Sequence, residues 1–293
     1  MTITNPITLR RLQNFRKSRR GYVSFWIFLT LLILTLPAEF IANDKPIAVS
    51  YQGEVFFPLF KKYKETEFGG TFETEADYTD PYIIQKIKTE GWIIKPIIPF
   101  DHQTVSWDLT MPAPSAPDST HILGTDDQAR DVLARVIYGF RISVIFGFTL
   151  TIISAVIGVF AGALQGYFGG WVDLIGQRFI EIWSGMPTLY LLIILSSIIE
   201  PNFWWLLGLL LLFSWMGFVG VVRAEFLRAR NFDYVRAARA LGLGDFKIML
   251  RHVLPNALVA TMAFMPFTLA GSVTFLTSLD FLGIGLPAGS ASL

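Results

Sequence analysis

Twenty-five consecutive residues, Ile142 to Gly166, carry no charged side chain. A helix of that length rises ~37 Å, enough to cross the ~30 Å of hydrocarbon in a bilayer. Four further stretches read the same way. They are 21–42, with Tyr22 and Trp26 near its start; 179–199, interrupted at Pro187; 203–222, opened by Phe203, Trp204 and Trp205; and 257–279. Aromatic residues at such edges suit the headgroup zone. Composition agrees with five spans. Only 16% of the 293 residues are charged and 53% are hydrophobic, whereas soluble domains run near ~25% charged. The first stretch is too long for a cleaved signal peptide, and no small-x-small site follows it. The chain is expected to be an all-α polytopic membrane protein.

Charge sets the expected topology. Arg10, Arg11, Arg16, Lys17, Arg19 and Arg20 make residues 1–20 a basic segment without an acid, which the positive-inside rule keeps in the cytoplasm. Counting crossings puts 43–120 outside and 223–256 inside. That second loop holds seven basic residues against three acids, so the rule is met at two places. The protein is expected in the bacterial inner (cytoplasmic) membrane, multi-pass, with its N-terminus cytoplasmic. Residues 21–42 are then the first transmembrane helix and 121–285 a core with four more. The polar segment 43–120 reads as a periplasmic insertion of α+β or β-rich type, because Val49–Phe57 and Trp92–Ile98 have strand character. Its acids, Glu65 to Asp80, read as solvated surface rather than a calcium site, since no ligand spacing of that kind is present. With no cysteine, no disulfide can brace it.

Catalytic signatures are missing: there is no G-x-x-x-x-G-K-[ST], no H-E-x-x-H and no G-x-S-x-G. His102, His121 and His252 lie too far apart to suggest a metal site. No catalytic residue, bound metal or bound cofactor is expected, so any work the chain does must draw energy from a partner. Ser154, Gly158, Gly162 and Gly166 recur at every fourth position of the second span, a smooth stripe against which a helix can pack closely. Glu181, near one end of the third span, is a candidate bundle-interior acid; an interfacial position is equally compatible with its place.

The most informative loop reads Asn231-Phe-Asp-Tyr-Val-Arg-Ala-Ala-Arg-Ala-Leu-Gly242. Asp233 can cap a helix containing Tyr234, Ala237, Ala238 and Leu241. Gly242 or Gly244 would end it, before a second helix from Asp245 to Arg251. Two short helices joined at glycine would form a knob whose paired alanines allow close approach by another protein.

This stretch, with Arg251-His-Val-Leu-Pro-Asn256, resembles the EAA coupling loop of binding-protein-dependent ABC importer permeases, in the oligopeptide/dipeptide/nickel branch. Ala237, Ala238, Gly242, Leu254 and Pro255 match the family pattern, and Arg236 occupies the Glu slot. His121–Ser143 resembles the element before the second span, with Asp127, Gln128 and Ala129 departing from Glu-Leu-Gly. Ser278-Leu-Asp-Phe-Leu-Gly-Ile-Gly285 resembles the stretch after the fifth, with Leu276 in place of a Glu. The resemblance implies a type I ABC importer transmembrane domain with Tyr234, Arg236, Ala237, Ala238, Gly242, Gly244, Leu254 and Pro255 in the ATPase-coupling loop. It further implies a second homologous permease subunit, a cytoplasmic ABC ATPase using ATP and Mg, a periplasmic substrate-binding protein and a peptide substrate. The enlarged external loop is similar to that of importers for peptides and microcin C. A permease for nickel or another small solute of the branch is one alternative, and an interfacial membrane enzyme is another. Such permeases have six spans, so the sixth helix is expected to be absent and 286–293 to be a truncated end.

Overall fold

The computed structural model describes residues 6–109, 111–200, 202–287 and 290. Residues 1–5 of the basic N-terminus, and 288, 289 and 291–293 of the C-terminal end, lie outside the described residues. The chain divides into two compact units, Met1–Ile142 and Ser143–Ala288.

In the first unit, the basic helix α1 (Pro6–Lys17) runs through Ser18 into the apolar α2 (Arg19–Thr35). Pro37 can donate no further helical hydrogen bond, and the short α3 (Ala38–Ile41) follows. The expected first span is thus two helices. α2 alone has 17 residues, about the minimum for a crossing. Strands β1 (Ala48–Tyr51) and β2 (Glu54–Phe56) form a hairpin where one long strand was expected. Gln52 and Gly53 turn it with φ of 51° and 84°, the left-handed pair that a two-residue hairpin loop needs. β3 (Gly91–Ile94) completes an antiparallel sheet of order β2-β1-β3. Helix α4 (Pro81–Glu90) starts with Asp80 accepting a 2.8 Å bond from Tyr82 N. It buries Ile83 and Ile87 with Val49, Tyr51, Phe68 and Tyr78.

Two acids of the polar segment are ion-paired. Glu75 pairs with Lys45 and, at 2.8 Å, with Lys62, and Glu73 pairs with Lys64 at 3.0 Å. The two lysines hold the Glu75 carboxyl below the usual carboxylate range. Burial, with the nearby Asp101 charge, pushes Asp44 up. Ile98 N donates to Ile41 O and Asn43 N to Ile98 O, tying the segment after the sheet to the end of α3. Asp131 opens the long helix α5 (Val132–Phe168) by accepting from Ala134 N at 2.7 Å, and its other oxygen lies 2.8 Å from the buried His121 ring.

The second unit contains the rest of α5, then α6 (Gly170–Ser184), α7 (Thr188–Ser196), α8 (Phe203–Ser214), α9 (Met216–Ala229), α10 (Asp233–Ala240), α11 (Asp245–Ile248) and α12 (Leu254–Phe281). Among the described residues three helices are long and apolar enough to cross a membrane: Val132–Phe168, Phe203–Ala229 and Asp245–Phe281. A fourth crossing would be α6 with α7, bent by 59°, where Pro187 interrupts the third expected span. The observed helices overrun the apolar stretches because backbone hydrogen bonding does not stop where the side chains become polar. α5 therefore reaches 37 residues where 25 were read.

The stripe of small residues in α5 lies against α8 and α9. A Cβ on Gly158 would stand 2.5 Å from Trp215 O, one on Gly162 2.8 Å from Val219 O, and one on Gly166 2.6 Å from Arg223 O. The Ser154 hydroxyl meets that of Ser214. Only glycine permits such close backbone approach.

Candidate functional site

Three turns at one end of the second unit carry the EAA-like residues. α9 ends at Ala229, Arg230 to Phe232 reverse the chain, and α10 follows. Phe232 occupies the capping position, and Asp233 is the first helical residue with no side-chain cap bond. Its carboxylate still sits in the first turn, where the helix dipole favours it. Val235 and Ala238 are buried against Phe226, Ile248, Met249 and Val253. Tyr234, Arg236 and Ala237 are exposed. Of the two alanines only Ala237 lies at the surface, so it alone offers a shallow outer face.

Gly242 ends the helix in the left-handed region, at φ +78°. Its N–H donates to Arg239 O at 2.9 Å and Leu243 N–H donates to Ala238 O at 3.2 Å. These two bonds satisfy carbonyls that a helix end would otherwise leave open. Gly244 then precedes α11 in extended conformation. Flanking the two glycines, Leu241 is 81% exposed and Phe246 63%.

The second helix is longer than expected. α11 does not stop before Pro255 but passes through a π-type stretch, Met249–Val253, into α12. Pro255 has no N–H, and its ring would clash with the carbonyl four residues earlier. A widened turn ahead of it relieves that conflict. The knob is thus one short helix folded against the start of the last long helix. Leu254 packs half-buried on the core beneath α10, Pro255 is exposed, and Asn256 Nδ2 lies 3.5 Å from Tyr234 Oη.

A polar clamp, unforeseen from sequence, fixes the knob to the bundle. Tyr167, at the end of α5, donates to Asp245 Oδ1 at 2.6 Å. Arg239 donates from Nε to the same phenol at 3.4 Å, and its guanidinium stacks 5.0 Å from the ring centre. The one available hint was an acid directly after Gly244, close to a basic helix.

Elsewhere, Glu181 pairs with Arg178 one turn away on α6 and is half exposed, outside the core of this unit. Asp173 of α6 holds Arg223 of α9 through two hydrogen bonds. The stripe Ser154–Gly166 ends one residue before Tyr167, so close helix packing and the clamp adjoin. Nothing in the loop region gathers nucleophile, base and acid. Its parts are an exposed apolar tip, a buried underside and a fixed hinge, which suit mechanical docking.

The comparisons with known proteins agree with that geometry. Residues 154–293 match the family described as binding-protein-dependent transport system inner membrane component. The chain is 57% identical over 293 residues to the inner membrane ABC transporter permease protein YejE of Escherichia coli K12, covering 100% of this chain and 86% of that one. It is 57% identical over 313 residues to the peptidoglycan transport system permease protein YejE of Agrobacterium fabrum, covering 99% and 82%. Identity to the oligopeptide transport system permease protein OppC of Lactococcus lactis is 40% over 174 residues, 59% of each chain. The chain belongs to the family of inner membrane components of binding-protein-dependent transport systems, the permease subunits of ABC importers.

Proposed function

We propose that the chain is one of two related permeases in an importer that carries short peptides, microcin C-like peptides among them, from periplasm to cytoplasm. The peptide reading draws on relatives named for oligopeptide and peptidoglycan transport. A periplasmic binding protein delivers the substrate, and a cytoplasmic ATPase, fused or paired, hydrolyses MgATP. The N-terminus and the loop 223–256 lie in the cytoplasm, and 43–120 forms an insertion at the periplasmic mouth. The basic residues at both cytoplasmic segments support that orientation.

The observation that carries this reading is the tip of α10. Leu241 and Phe246 project outward while Val235 and Ala238 anchor the opposite side. An ATPase groove closing on that tip pushes α10, and the Tyr167–Arg239–Asp245 clamp passes the push to α5 and α12. Purification of the tagged chain from native membranes tests it: an ATPase and a second permease should copurify, and deletion of the gene should abolish uptake of a labelled peptide. A chain that purifies alone, with uptake intact in the deletion strain, would refute the proposal.

A further inference from the structure

The turn after β2 carries a second candidate surface, in the sequence Phe56-Phe57-Pro58-Leu59-Phe60-Lys61-Lys62-Tyr63-Lys64. Phe60 N and Lys61 N both donate to Phe57 O, at 3.0 and 3.1 Å, closing a tight turn over the buried Pro58. Proline suits the second position of such a turn. The closed turn holds two large rings outside any core: Phe60 is 72% exposed and Phe57 47%. Around them Lys61, Lys62 and Lys64 are exposed. Lys61 sits 5.1 Å over the Tyr63 ring.

The position of this turn decides what covers it. Phe60 meets the ring of Phe40 edge-on at 5.8 Å. Phe40 belongs to α3, directly after the apolar α2. Its neighbour Glu39 makes paired hydrogen bonds of 2.7 and 2.8 Å with Arg141 of α5. A carboxylate and a guanidinium at one height mark where hydrocarbon gives way to headgroups. The exposed rings thus stand beside the end of an apolar helix whose Ile27, Leu31, Ile33 and Leu34 are exposed, with lysines next to them. Rings with basic neighbours are the pattern of a segment that lies in the bilayer interface.

We infer that Phe57 and Phe60 form a membrane-surface anchor, seated in the headgroup zone of the phospholipid bilayer with Lys61 directed to lipid phosphates. The anchor holds the sheet unit down on the membrane beside α3. A soluble partner would need these rings to face away from the lipid, and the contact of Phe60 with Phe40 opposes that.

The absence of cysteine permits a direct test. The full chain is labelled with an environment-sensitive fluorophore at Phe60→Cys or Phe57→Cys and placed in nanodiscs of phosphatidylethanolamine and phosphatidylglycerol. Asp127→Cys serves as the reference, because this exposed turn precedes α5, whose first nine residues set it roughly 14 Å beyond Arg141. Lipids with a nitroxide high on the acyl chain should quench the probes at 57 and 60 strongly and leave that at 127 bright. Aqueous iodide should do the reverse. Phe60→Ser/Phe57→Ser, labelled at Lys61→Cys, should lose the lipid quenching while keeping its melting temperature. Probes at 57 and 60 that behave like the one at 127 would overturn the proposal. So would probes blind to lipid nitroxide that shift only when a soluble binding protein is added.

Discussion

The Tyr167 hydroxyl donates to Asp245 Oδ1 across 2.6 Å, joining the end of α5 to the first residue of α11. Seventy-eight positions separate the two residues, and the bond closes the base of the exposed knob. Tyr167→Phe keeps the buried ring and removes this link together with the longer bond that the phenol accepts from Arg239 Nε. Because Asp245 is half exposed, the loss should be roughly 1 kcal/mol. Amide hydrogens of 233–240 should then exchange about fivefold faster, and peptide uptake should fall at unchanged membrane abundance. Exchange rates equal to wild type would show that the clamp does not hold α10.

Gly242 is placed for conformation rather than space. No atom lies within 4 Å of where its Cβ would stand, yet φ is +78°. A side chain there costs about 1–2 kcal/mol in backbone strain, more for a β-branched one. Gly242→Val should therefore insert at normal levels but misdirect α11, losing both ATPase copurification and uptake. Retention of the ATPase with wild-type transport would remove Gly242 from the coupling element.

The neighbouring alanines should separate folding from docking. Ala238 is 5% exposed, so Ala238→Asp buries an unpaired carboxylate and should deplete the protein from the membrane. Ala237→Asp leaves the core intact and should weaken only ATPase association. Immunoblotting of membranes beside copurification distinguishes the two, and equal abundance of both variants would contradict the burial argument.

Gly166→Val should fail outright, since its Cβ would press to 2.6 Å on both Arg223 O and Phe226 Cβ. Gly220→Ala, on a helix with open space at that point, should accumulate normally. Similar abundance for both would mean that α5 and α9 can separate without cost.

Asp44 gives a pH signature. Its folded pKa is raised, chiefly by burial and then by Asp101. A carboxyl raised on folding holds its proton more tightly in the fold, so stability falls as pH climbs from the ordinary carboxylate range through the raised value. Asp44→Asn removes that loss, and its side-chain oxygen can still accept from Thr104. Thermal unfolding in detergent should show a higher melting temperature for the variant at neutral pH and no gain in acid. A gain independent of pH would point to a different cause.

How much of this could be read beforehand depends on the range of the interaction. The left-handed place of Gly242 and the Ser154–Gly166 stripe follow from local rules of helix ending and helix period. The bend at Pro187 does too. The π-type turn before Pro255 was missed because the loop was divided at a proline that the helix instead absorbs by widening. The hairpin at Gln52-Gly53 was missed because Gln is a rare choice for a left-handed position. The Tyr167 clamp needed three residues from separate helices to meet, which no spacing announces. The exposure of Ala237 and the burial of Ala238 depend on which side of α10 the bundle covers.

From Gly158 to Gly166 the backbone of α5 lies directly against the carbonyls and Cβ atoms of the facing segment, over roughly 12 Å of helix. Two rods joined that closely have little soft side-chain layer in which to slip. α5 ends beside Tyr167, and α9 leads directly into the turn before α10. Under the proposed function, a load applied at the tip is received by both rods together and leaves as one rigid tilt. In effect the stripe makes the pair a lever, and its stiffness would let a small displacement at one end reach the other undiminished.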